Sequence, residues 1–297
     1  MSPLFGTQRR ASYRETGQRP VIGLLEARMS RELSRLVEKH GGSPVCVPAL
    51  REVPGSLDAT RGVIEGLLEA RHDAVIFMTG VAASLLFEAA EQQGLRQELV
   101  RALSSVTTVA RGPKPTAALR GFGVPPTITA REPFTSAELI DALSGLPLEG
   151  RPALLFHHGE RSATLAETLR ARQVALSECF LYRWLMPEDT RGLAALVGSI
   201  VSGEIDALVV TCQVQFRNLY EVARSLSLAT ALVDALRSGV VVAAMGPTCH
   251  ATLQVHGVPV HVMPEVPKMG PLIRSLMLHL TQAPAQPLAA PPHPMVH

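Results

Sequence analysis

Asp206-Ala207-Leu208-Val209-Val210-Thr211 echoes Asp73-Ala74-Val75-Ile76-Phe77-Met78-Thr79, and the echo continues on both sides. Downstream, Gly246-Pro247-Thr248 answers Gly112-Pro113-Lys114. In each copy another glycine stands 11 positions later, at Gly123 and Gly257, and a proline 10 further on, at Pro133 and Pro267. Arg151-Pro152-Ala153-Leu154 matches Arg19-Pro20-Val21-Ile22, an offset of 132 residues. A period this long is no solenoid unit; it indicates two related domains, with function expected between them.

The chain has 297 residues, 46% apolar and 18% charged, enough for two domains with real cores. A net charge of +2 argues against a dedicated nucleic-acid binder. Cys46, Cys179, Cys212 and Cys249 form no C-x-x-C pair, and no His cluster has zinc spacing, so free thiols in a reducing compartment are expected. Residues 1–20 carry arginines but no apolar core of a signal peptide, and no apolar run reaches the roughly 18 residues a membrane helix needs. The expectation is a soluble cytoplasmic protein. Residues 1–18 and the Pro/Ala-rich 281–297 read as flexible ends.

Between the ends, apolar runs alternate with amphipathic helical patterns. The first short piece reads strand 21–25, helix 30–39, strand 45–47. The first long copy reads helix 57–70, strand 74–78, helix 81–92, strand 106–110, helix 115–121, strand 126–129, helix 135–143. Strand 153–157, helix 162–171 and strand 175–180 follow. The second long copy reads helix 190–202, strand 207–210, helix 213–226, strand 240–244, helix 248–256, strand 260–263, helix 269–280. Such alternation means α/β architecture, with parallel sheets covered by helices on both faces. The domain boundary falls either near Gly145–Gly150 or in two crossings, near Pro48–Pro54 and Arg183–Pro187; the repeat alone leaves both open.

In open parallel sheets ligands bind beyond the carboxyl ends of the strands, at helix N-termini. Thr79-Gly80, Arg111-Gly112-Pro113-Lys114, His157-His158-Gly159, Thr211-Cys212 and Gly246-Pro247-Thr248-Cys249 occupy such positions. Each turn alone is explained by helix capping; several together point to anion binding. Gly121-x-Gly123 follows a helix and is a helix stop, not a dinucleotide fingerprint. No P-loop or G-x-S-x-G is present, and His157 and Ser162 lack a patterned acidic partner for a triad. His157 and His158 are adjacent on a strand and face opposite ways, so no metal site is expected. Tyr182, at a strand end, either donates a proton or fills a seam between domains.

These residues carry a resemblance to the uroporphyrinogen-III synthase family over roughly residues 20–280. It is strongest over Val240–Leu272, and Ala110–Gly123 and Tyr182–Asp189 also match. The resemblance implies two Rossmann/flavodoxin-like parallel-sheet domains joined by a two-stranded linker, one of them discontinuous. The outer domain would be 19–50 plus 185–280 and the inserted one 52–182. It implies cyclisation of the linear tetrapyrrole hydroxymethylbilane to uroporphyrinogen III, with inversion of ring D and loss of water. No cofactor and no metal are implied; a monomer is expected, with hand-over from hydroxymethylbilane synthase. Tyr182 matches the family's tyrosine and would protonate the leaving hydroxyl. Arg28, Arg111, Lys114, Arg161 and Lys268 would hold the substrate's carboxylates, with Thr79, Gly112, His158, Gly159, Thr211, Gly246, Pro247, Thr248 and Cys249 at the strand ends. The chain departs from the family's pattern at Pro115, Cys249, Gly80, Cys212 and His158, where Thr, Thr, Ser, Ser and Arg are usual; this resembles a divergent branch. The competing reading is a non-catalytic tetrapyrrole-binding or regulatory homologue.

Overall fold

A computed structural model describes residues 17–281; nearly all of the expected flexible ends lies outside that range. The elements in chain order are β1 (Val21–Leu24), α1 (Ser30–Lys39), β2 (Ser43–Cys46), β3 (Arg51–Pro54), α2 (Leu57–Leu68), β4 (Ala74–Phe77), α3 (Gly80–Gln92), α4 (Arg96–Ser104), β5 (Thr107–Ala110), α5 (Pro113–Gly121), β6 (Ile128–Thr129) and α6 (Ser136–Ser144). They continue with β7 (Pro152–Phe156), α7 (Ala163–Ala171), β8 (Ala175–Cys179), β9 (Tyr182–Leu185), α8 (Arg191–Val201), β10 (Ala207–Val210), α9 (Gln213–Ser225), α10 (Ala229–Ser238), β11 (Val241–Ala244), α11 (Pro247–Val255) and α12 (Met269–Thr281). The chain forms two compact units, one continuous over Glu52–Leu185 and one assembled from the residues up to Arg51 and from Met186 onward.

The continuous unit holds a five-stranded sheet in the order β6-β5-β4-β7-β8, with every pair parallel. The split unit holds β11-β10-β1-β2, again all parallel. Matching β4 with β10 and β7 with β1 makes the two orders the same. The split unit is therefore the same topology with its chain opened at another point. β3 and β9 pair as a separate two-stranded sheet.

Central strands are apolar at every position because both sheet faces are covered. Along β10, Leu208 and Val210 join a core with α8, α9, α10 and α11, while Ala207 and Val209 join the opposite core with α1 and α12. Along β4, Val75 and Phe77 pack under α2 to α5, and Ala74 and Ile76 under α6 and α7. The two-residue alternation of a strand thus divides each unit into two cores.

The repeated glycines close helices. After α5, Gly123 (φ +83°) donates to Arg120 O at 3.0 Å, and Val124 donates to Leu119 O at 2.9 Å. After α11, Gly257 (φ +71°) donates to Gln254 O at 2.8 Å, and Val258 to Leu253 O at 2.9 Å. Both are Schellman caps, which need a left-handed residue where a side chain would be strained. Pro113 and Pro247 open the same two helices, where a missing N–H costs nothing.

Three local expectations change. The strand expected over 260–263 reduces to a single bridge, Ala243 to Val262. Pro259 and Pro264 flank it, and His261 Nδ1 accepts the Val242 N–H at 3.0 Å, standing in for a ladder bond. Its counterpart, expected over 126–129, shortens to β6, because Thr127 Oγ1 takes the Thr108 N–H in the same way (3.2 Å). Finally, α4 and α10 went unread, since Leu95 and Leu228 begin them without a side-chain cap.

Candidate functional site

Numbered within its own sheet, the continuous unit has the strand order 3-2-1-4-5. Its topological switch point lies between β4 and β7, where the connections diverge to opposite faces and leave a crevice. Thr79 follows β4 and caps α3, its Oγ1 accepting from Ala82 N at 3.1 Å. The same hydroxyl lies 3.2 Å from the Tyr182 hydroxyl. Tyr182 is only 3% exposed and belongs to the core beneath α2 to α5. Arg111 follows β5, with its N–H on Phe77 O at 3.0 Å. Burial lowers its guanidinium pKa, and neighbouring Tyr182 opposes that shift. Two hydroxyls thus meet beyond β4, with the buried Arg111 of the adjoining β5 within electrostatic range of Tyr182.

Gly112 caps α5 and lies under Phe134, whose ring begins 3.1 Å from where a Cβ would sit. Lys114 is exposed in the first turn of α5. Beyond β7, Gly159 (φ +69°) accepts from Trp184 N at 2.8 Å, and the indole fills the space a side chain there would take, its nearest atom 2.3 Å from where a Cβ would sit. His158 meets that indole edge-on at 5.5 Å, and Trp184 Nε1 donates to Glu52 at 3.2 Å. Pro115 is buried, and the hydroxyl of the next residue, Thr116, turns back to Gly112 O at 2.9 Å.

Arg161 goes elsewhere. It donates to Glu178 at 2.8 Å, alongside Arg170 and His157 (2.7 Å), and also pairs with Glu167. His157 is fully buried and accepts the Ser162 N–H on Nδ1 at 3.2 Å, so its proton sits on Nε2 toward Glu178. Burial holds its pKa below the ordinary value. Burial alone would raise Glu178, but its bonds from Arg161, His157 and Arg170 prevail and hold the carboxyl down at about 2. Both folded-state values are depressed, so both contributions exist above the unfolded values and vanish as pH falls. Glu178 loses its share between about 4.5 and about 2, and His157 below 6.5. The half-exposed arginines leave this worth roughly 2 kcal/mol. Glu178→Gln should therefore flatten the acid limb of a stability-against-pH curve from urea melts; an unchanged limb would disprove the assignment.

The split unit places its strand ends differently. Cys212 caps α9 with the backbone angles of Thr79, so the cap equivalent to Thr79 is Cys212 and not Thr211. Thr211 donates to Glu26 Oε2 at 2.5 Å. Gln215, 2% exposed, donates to the same oxygen at 3.1 Å and accepts from Thr211 N at 2.9 Å and Cys212 N at 3.2 Å. Gly246 caps α11 and Pro247 opens it; Thr248 is exposed, and Cys249 is buried. Burial, with Cys212 nearby, pushes the Cys249 thiol up to about 12, which leaves it inert at neutral pH. Arg28 and Lys268 are exposed in the loops after β1 and before α12. Among the described residues no group of three or more His, Cys, Asp or Glu side chains is placed to hold a metal ion.

The family model for uroporphyrinogen-III synthase HemD matches residues 31–274. The chain belongs to the uroporphyrinogen-III synthase family. A putative uroporphyrinogen-III synthase of Methanothermobacter thermautotrophicus is 27% identical over 77% of this chain and 86% of that protein. The uncharacterized protein YjjA of Bacillus subtilis is 27% identical over 88% of this chain and 95% of its own length. A crystal structure of a mutant uroporphyrinogen III synthase from Thermus thermophilus superposes with a TM-score of 0.73 at 25% identity, covering 86% of this chain and 97% of that one.

One departure from the uroporphyrinogen-III synthase pattern has a packing cause. A Cβ at Gly80 would meet Lys114 O at 2.8 Å, because the first turns of α3 and α5 touch there through their backbones. A side chain at position 80 would push these two turns apart. Gly80→Ser should cost about 1–3 kcal/mol, as overpacking does; a melting temperature equal to the parent's would contradict the packing argument. Glu26, Gln215 and Trp184 were not singled out from sequence. Glu26 stands 132 positions before His158, so the repeat itself marked it.

Proposed function

We propose that the protein is a uroporphyrinogen-III synthase, closing hydroxymethylbilane to uroporphyrinogen III with inversion of ring D and loss of water. The observation that carries this is the Tyr182 hydroxyl, 3.2 Å from Thr79 Oγ1 and within electrostatic range of Arg111, in a chain of this family. Arg111, Lys114 and the N-termini of α3 and α5 would hold substrate carboxylates, each helix end adding about 0.3–1 kcal/mol. Tyr182 would pass its proton to the leaving hydroxyl. The C–O bond breaks, water departs, and positive charge spreads over the pyrrole left behind. Inversion requires the cation to bond first to the already substituted α-carbon of ring D. The bond from that carbon to the ring C methylene then breaks, and the freed methylene bonds to the unsubstituted α-carbon of ring D. The proton lost there restores the phenol. Spontaneous closure gives the uninverted isomer, so each tenfold preference needs about 1.4 kcal/mol of differential stabilisation. Positioning is the main task of such a site.

The same reading makes 19–50 with 185–280 one domain and 52–182 the other, linked through β3 and β9. It makes the protein a cytoplasmic monomer supplied by hydroxymethylbilane synthase. No helix among the described residues is long and apolar enough to cross a membrane. The thiols of Cys212 and Cys249, where hydroxyls are usual, favour a second reading, a tetrapyrrole-binding homologue without turnover. A coupled assay decides: hydroxymethylbilane is generated in situ, and the uroporphyrin isomers are separated after oxidation. Dominant isomer III establishes the synthase; isomer I at the no-protein level, from folded protein, removes that reading and favours the binder.

A further inference from the structure

The two switch points differ in charge at three equivalent positions. The continuous unit has Arg111 and Lys114 after β5 and His158 after β7. The equivalent positions of the split unit are Met245, Thr248 and Glu26: these three positions lose their basic residues and gain a carboxylate, with Arg28 two residues further along the same loop. Glu26 is half-buried at the carboxyl end of β1, beside β10. Its Oε2 is fixed by Thr211 at 2.5 Å and by buried Gln215 at 3.1 Å. Among the described residues its Oε1 receives a single long contact, 3.4 Å from Met29 N. One oxygen is thus anchored while the other keeps acceptor capacity, in the crevice where this topology binds ligands. A fixed carboxylate repels carboxylates, and among the described residues no group of three or more His, Cys, Asp or Glu forms around it to hold a metal.

We infer that Glu26 is a ligand-binding residue that accepts the N–H groups of a polypyrrole, and that it favours the pyrrole on which positive charge develops. The inference rests on the tetrapyrrole reading above, but not on turnover. A hydrogen bond to an ionised acceptor is about twice as strong as a neutral one.

The test is calorimetric titration of the full chain with two probes. One is the substrate bilane with its hydroxyl replaced by hydrogen, which keeps every N–H and carboxylate but cannot react. The other is mellitate, which offers carboxylates alone. Glu26→Gln should weaken the bilane at least fivefold and leave mellitate unchanged or tighter. Glu26→Asp, which withdraws the charge by one carbon, should fall between. Arg111→Gln should weaken both probes. Equal losses for both probes in E26Q would mean a structural role, and an unchanged or tighter bilane, or no bilane binding by the parent, would overturn the inference. Absence of isomer III from a parent whose bilane affinity still depends on Glu26 would sink the synthase reading alone.

Discussion

Tyr182→Phe should lower the rate of isomer III formation about 100-fold, with KM moving less than threefold. Removing a general acid takes away a transition-state contact and leaves ground-state binding in place. The fold should tolerate the change. The ring keeps its place in the core, and Thr79 keeps the Ala82 N–H it accepts at 3.1 Å. Stability should shift by no more than about 1 kcal/mol, the worth of one hydrogen bond. Single-turnover measurement at saturating bilane, beside a thermal melt, separates the effects. Full activity in the variant would remove Tyr182 from the chemistry, and a collapsed melt would make it a packing residue.

Gly159→Ala should be the most damaging single methyl in the continuous unit's site, at about 2–5 kcal/mol. Two costs combine there. The backbone sits at φ +69°, where an L side chain costs about 1–2 kcal/mol. The new carbon would also lie 2.3 Å from the Trp184 ring, and overpacking adds about 1–3 kcal/mol. Gly123→Ala is the control: φ is +83° there, but nothing lies within 4 Å of the added carbon, so only the backbone cost applies. Urea midpoints should therefore differ widely between the two variants. Equal losses would mean that the indole yields freely and does not hold the β7 loop.

The sheets were legible because parallel strands buried on both faces are apolar throughout, as in Ala207–Val210. The glycines at 123 and 257 were legible because a Schellman cap leaves little choice of residue. Edge pairing was not. Strand 260–263 shrank to one bridge because a side chain, His261, competes for the backbone donor of its neighbour, which hydrophobicity does not reveal. The register of the repeat was misleading at one point. Two threonines, Thr79 and Thr211, invite alignment, yet the backbone pairs Thr79 with Cys212 and turns Thr211 toward Glu26. Long-range polar contacts of that kind have no local signature. Arg161 shows the converse: it stands among candidate residues in sequence, but its geometry engages it with Glu178.

The split sheet bears on the order of assembly. Val21, at the head of β1, bonds Asp206 across 185 positions. During synthesis β1, α1 and β2 emerge first and β1 can pair with β2, but the other edge of β1 has no neighbour until β10 follows, while every strand of the five-stranded sheet is by then already made. Closing so long a span is entropically costly, whereas the intervening segment can gather locally. The nascent chain therefore carries an open strand edge through most of its translation. The completed inner unit then acts as the spacer that shortens the remaining search.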